Sequence, residues 1–204
     1  MAQQALERGH TEAKVESSTS FDADRLAYLE VAGWRAYYDR KWLRLLGLLV
    51  KMEREQFGFS WLRAIQGAFY IVRASIAWVP IDHDLRAIRR DLRKFYRLVV
   101  KYGSDFHFDP VKVADLELRY WHYNRQLGTS EYSENNALER SLAELHAGMF
   151  DISPQAIKES GRARALSLHT VGSITGKRST DIEADWLRAE EHLRKAYRAI
   201  AAEL

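Results

Sequence analysis

The amino-acid sequence predicts an all-α protein, a single-domain antiparallel bundle of about seven helices. Three observations carry that reading. Apolar residues recur at three- and four-residue spacing through most of the 204 residues, which is the period of one helix face. Serine, threonine and aspartate stand where helices would begin, and glycine or proline where they would stop. Only eleven glycines and three prolines are present, too few for a many-turned all-β fold, and no convincing strand pattern emerges.

Each element follows from local signals. Asp22 can cap a long first helix over about 23–57. Ala27, Val31, Trp34, Tyr38, Leu45, Leu48 and Met52 lie near one face of it, with Lys41 the one interruption and Gly58 the stop. Ser60 caps a second helix, 61–79, closed by Pro80. Asp82 caps a third, 83–102, ended by Gly103. Asp109-Pro110 opens a fourth, because the aspartate accepts backbone N–H bonds and proline fits the first helical position. That helix reaches about Leu127, before Gly128. A fifth starts near Ser133 to Asn136 and reaches Phe150, and Ser153-Pro154 opens a sixth over 154–174. Thr180 with Glu183 forms a capping box for the last, 181–203. Short connections make sequential helices antiparallel neighbours.

Composition narrows the chemistry. With 47% hydrophobic and 12% aromatic residues, the chain can bury a sizeable core. The absence of cysteine removes disulfides, thiolate metal sites and a cysteine nucleophile. A net charge of +3 is too small to imply nucleic acid, and no nucleic-acid-binding motif accompanies it. Residues 1–21 read as a disordered polar tail without the apolar run of a signal peptide, leaving 22–204 as one helical domain. The longest apolar stretch, Ala64 to Ile81, holds Arg73 near its middle and is cut by Pro80. It therefore reads as a buried helix and not as a transmembrane segment, and the expected compartment is the cytoplasm.

The fourth helix is the most unusual. Val111, Val113, Ala114, Leu116, Leu118, Tyr120, Trp121 and Tyr123 surround its axis, which predicts a central apolar helix near 110–127. It also carries Glu117, His122, Asn124 and Arg125. Glu117 lies one turn from Trp121 and two from Asn124, on one side. A glutamate buried beside aromatics has a raised pKa suited to acid or base work, and the same groups could equally form a network that fixes helix register. Arg73 could pair with Glu117 or Glu30, clamp an anionic ligand, or snorkel at the rim.

Two aromatic clusters, Trp34, Tyr37, Tyr38 and Trp42 on the first helix and Trp61, Phe69, Tyr70 and Trp78 on the second, could line a pocket, build the core or serve a homodimer interface. The function these features point to is a small-molecule enzyme or binding protein. A small apolar or anionic molecule would sit between helices, with Glu117 and His122 as acid–base candidates and Arg73, Trp78, Trp121 and Arg125 as ligand contacts. The alternative is a non-catalytic interaction protein working through the basic helix 83–102, whose Arg86, Arg89, Arg90, Arg93, Lys94, Arg97 and Lys101 form one face. A third is a helical metalloenzyme with a non-standard ligand set. Glu139 and His146 lie two turns apart on one helix, but the one Glu-x-x-His, Glu7 to His10, falls in the tail. No cofactor and no defined metal site is implied. Gly172 to Ser179 (GSITGKRS) lacks the spacing of a phosphate loop and reads as a helix end with a basic turn.

Overall fold

The computed structural model of the chain describes residues 21–126 and 136–204, and every regular element among them is helical. In order these are α1 (Ala23–Tyr38), α2 (Trp42–Phe57), α3 (Trp61–Trp78), α4 (Leu85–Tyr102), α5 (Pro110–Gln126), α6 (Ala137–Phe150), α7 (Lys158–Thr175) and α8 (Ile182–Ala201). The tail expected over 1–21 lies outside the described residues except for Phe21, as do Leu127, Gly128 and Ser133.

Each helix packs chiefly on its neighbours in the chain, and α8 closes back on α1, so the eight form a ring. The α1–α8 seam is antiparallel. Asp24 at the start of α1 takes Arg198 near the end of α8 at 2.9 Å, and Arg35 near the end of α1 reaches Glu183 at the start of α8 at 2.7 Å.

Where one helix was expected over 23–57 there are two. The Lys41 N–H donates to the Ala36 carbonyl at 2.8 Å while Arg40 turns left-handed with φ of 58°. This is the Schellman closure that glycine usually makes. For arginine the left-handed backbone costs about 1–2 kcal/mol, so the break is imposed by packing. It lets α2 fold back on α1 and bury Leu45, Leu49, Val50 and Phe57. Lys41, the interruption of the apolar stripe, marks the spot.

Caps hold in part. Asp22 accepts from Asp24 and Arg25 N–H, and Asp109 from Val111 N–H, as expected. Helix α4 is capped by Asp84 instead of Asp82, and α8 by Asp181 instead of Thr180, Asp181 accepting from the Ala184 N–H at 3.0 Å while Glu183 takes Arg35. Ser60 occupies its N-cap position without a side-chain bond. Ser153 accepts from Ala156 N–H in a turn that precedes α7.

Helix α5 takes a place in the wall of the ring, between α4 and α6. It buries Val113, Ala114, Leu118 and Tyr120 and exposes Lys112, Asp115, Arg119 and His122. The axis, where a central helix would stand, is hollow. One end of that axis is plugged. Phe57 meets Phe59, Phe95 and Phe106 at 5.6, 5.8 and 5.2 Å between ring centres, and Phe106 meets Phe150 at 5.9 Å. Phe21 joins Phe150 and Tyr197 at 6.0 and 5.9 Å.

Candidate functional site

A cavity of about 520 Å³ runs along the axis above the phenylalanine plug and is lined by residues from all eight helices. The exposed residues on its wall are Tyr38, Arg125, Thr175, Gly176 and Arg178. It therefore opens at the end where α1, α3, α5 and α7 terminate. Trp34, Tyr37, Trp78 and Trp121 form a collar below that opening.

Glu117 is the centre of the chemistry. Its Oε2 accepts from the Tyr96 hydroxyl at 3.1 Å and its Oε1 from Trp121 Nε1 at 2.8 Å. The carboxyl lies deep in the bundle, on the cavity wall. Burial pushes its pKa up to about 7, and the Arg164 charge and the two donors only partly oppose that. A carboxyl in that range is part protonated and part ionised near neutral pH.

Beside it lies a buried ion pair. Arg164 of α7 holds both oxygens of Glu30 of α1 through its two terminal nitrogens, and the Tyr197 hydroxyl donates to Glu30 Oε2 at 2.6 Å. Desolvation opposes the Arg164 charge, yet Glu30 and the surrounding hydroxyls and carboxylate hold it protonated. This pair is self-neutralised. His146 Nδ1 lies 2.8 Å from Ser160 Oγ, and burial together with Arg164 keeps the imidazole neutral.

Glu53 is the outlier. It is fully buried on the cavity wall, and neither carboxylate oxygen has a hydrogen-bond partner of normal geometry; the Ala68 amide only weakly favours its ionised form. Desolvation pushes its pKa well up, so it stays protonated where exposed glutamates are charged. Gly67 of α3 makes room for it, since a methyl there would run into the Glu53 carboxyl.

The structure brings together Glu117, Trp121, Asn124, Trp78 and Arg125 on the cavity wall. It leaves out His122 and Arg73. His122 points outward, as its five-residue offset from Glu117 dictates, about 140° around the helix. Arg73 is exposed on the far side of α3, 3.2 Å from Asp91, and not beside Glu117 or Glu30. Arg125 stacks on Trp78 at 4.0 Å and donates to the carbonyls of Trp78 and Pro80, so its guanidinium closes the end of α3.

Sequence reasoning missed Tyr96, Glu53, Tyr197 and the site role of Arg164. Arg164 carried a signal: it falls on the inward stripe of Ser160, Ser167, Leu168 and Val171. Among the described residues no three His, Asp or Glu side chains gather as a metal site requires, and His146 faces Ser160. None of the helices there is long and apolar enough to cross a membrane. Comparison with protein-family models, with curated proteins and with solved structures finds no match to this chain.

Proposed function

We propose that this protein takes a small, mostly apolar molecule into its axial cavity and exchanges a hydrogen bond or proton with it through Glu117. The observation that carries the reading is Glu117 itself, an acid poised near neutrality on the wall of an aromatic-lined cavity. The volume falls within the roughly 300–1,000 Å³ usual for ligand pockets.

The charge pattern refines the ligand. Inside the cavity Arg164 is neutralised by Glu30, and at the mouth Arg125 and Arg178 are held on the backbone carbonyls of Trp78, Pro80 and Gly172, so the cations of this wall are engaged away from its interior. Two protonatable carboxyls, Glu117 and Glu53, favour instead a neutral molecule with a proton-accepting atom.

Quinoline and naphthalene test this, because they share a shape and differ by one accepting ring nitrogen. Titrated by tryptophan fluorescence, quinoline should bind several-fold to about tenfold more tightly than naphthalene at pH 6, since one net hydrogen bond is worth roughly 0.5–1.5 kcal/mol. That preference should fade as pH rises through about 7 and vanish in Glu117→Met. Equal binding of the two at pH 6, or no binding of either, would overturn the proposal.

A further inference from the structure

Helix α3 has two faces of opposite purpose. Its inner side, with Ala64, Ala68, Val72 and Trp78, packs into the ring. Its outer side carries Leu62, Ile65, Phe69 and Ile76, with Trp61 at the end, and these five are between 44 and 69% exposed. The spacing 62, 65, 69, 76 traces one ridge along the helix. Residues of this kind scattered singly need no explanation, whereas a contiguous apolar ridge marks a contact surface.

The flanks of the ridge are basic on both sides. Helix α2 presents Arg44, Lys51 and Arg54, and α4 presents Arg86, Arg90, Lys94, Arg97 and Lys101, all exposed. Residues 42–102 hold twelve Lys and Arg against five Asp and Glu. No carboxylate of α2, α3 or α4 is exposed: Glu53 and Asp91 are buried, and half-buried Glu55 is taken by Arg25 at 3.1 Å. Several cations lean on the rings of this face. Arg54 lies 3.8 Å from the centre of Trp61, Arg73 5.6 Å from Phe69 and Lys94 5.7 Å from Tyr70. Some exposed arginines elsewhere are matched with acids, as in Arg198–Asp24 and Arg119–Glu144, whereas Arg40, Arg140 and Arg162 stand singly on other parts of the surface. Arg44, Lys51, Arg54, Arg86, Lys94, Arg97 and Lys101 make no ion pair among the described residues.

We infer that the α2–α3–α4 face docks on an anionic lipid surface, with the α3 ridge entering the interface and the flanking cations meeting lipid phosphates and carboxylates. An apolar centre with cationic flanks is the pattern of a surface that lies in the plane of a bilayer. Nucleic acid would satisfy the cations, but Leu62, Ile65 and Ile76 stack on no base and would remain in water. A second copy pairing through the same face would bring the basic flanks against each other. This inference is independent of the cavity and of Glu117.

The test is co-sedimentation of the full chain with phosphatidylcholine vesicles, with and without about one-third phosphatidylserine, beside a DNA duplex as competing ligand. The expected result is binding to the anionic vesicles only, weakened by raised salt. Reversing Arg86, Lys94 and Arg97 to Glu should lower it by about a hundredfold or more. Leu62→Gln with Phe69→Gln should lower it by at least about tenfold while the melting curve stays unchanged, because both side chains are exposed. Failure to bind anionic vesicles at low salt, binding indifferent to the Leu62 and Phe69 changes, or tighter binding to DNA than to vesicles would each overturn it.

Discussion

The two ends of the helical ring solve the same problem in opposite ways. Eight helices arranged around an axis leave more space than their own small side chains can fill. At one end Phe57, Phe59, Phe95, Phe106 and Phe150 fill it edge against face, and all five are buried. Phenylalanine has no polar atom to satisfy, so this seal needs neither water nor partner. At the other end stand Trp34, Tyr37, Tyr38, Trp78 and Trp121, whose rings wall the cavity and each carry a polar N–H or O–H group. Trp121 spends its N–H on Glu117. The aromatic surplus of the chain thus divides into a buried plug at one end of the axis and a collar around the opening at the other.

The sharpest way to break the contrast is Phe106→Ala. Phe106 is 2% exposed and touches Phe57, Phe108 and Phe150, so its loss removes the middle of the plug. The expected cost is about 3–5 kcal/mol by chemical denaturation, with the cavity extended toward that end. A change below about 1 kcal/mol would mean the plug collapses freely and does not set the depth of the cavity.

Next in size is the pH dependence that Glu117 adds to stability. Its folded pKa of about 7 stands above the unfolded value near 4.5, so the folded state binds more protons between them. The stability tied to its protonated form is complete below about 4.5 and is lost as pH rises through about 7. The loss is about 3 kcal/mol, at roughly 1.4 kcal/mol for each tenfold change in proton affinity. Glu117→Gln should flatten the stability profile across that window. An unchanged slope would show that the carboxyl is better solvated than its surroundings imply.

The smallest effect belongs to the collar. Tyr38 is 41% exposed and edges against Tyr37 at 5.2 Å. Tyr38→Ala should cost less than about 1 kcal/mol in stability while weakening the quinoline titration. A large stability loss there would make the open end as structural as the closed one.

Much of this was legible from residue spacing, and the reasons are local. The Glu117–Trp121 hydrogen bond joins residues four apart on one helix, a distance that helix geometry fixes without knowledge of the fold. Asp22 and Asp109 cap the helices they precede because the bond is made within three residues. By contrast Arg164 meets Glu30 across 134 positions, and Tyr197 meets it across 167. Nothing near Glu30 in the chain announces either partner. Glu53 stands between Lys51 and Arg54 in the chain, and only the packing of α3, with Gly67 at the crossing, buries it. Arg73 shows the converse: its carboxylate was expected, but α4 supplied Asp91 where α1 or α5 had been anticipated.

What the sequence determined by itself is the helical class, six helices within a few residues with α1 and α2 joined as one longer run, and the composition of the face that carries Glu117. Those follow from propensity, periodicity and capping, which act over a turn or two. The tertiary structure decided the break at Arg40, the closure of α8 on α1 and the hollow axis. It also decided which buried charges are neutralised and which stand alone. These depend on which helices become neighbours, and burial is a property of neighbours in space: a carboxyl titrates according to what excludes water from it, not according to what precedes it in the chain.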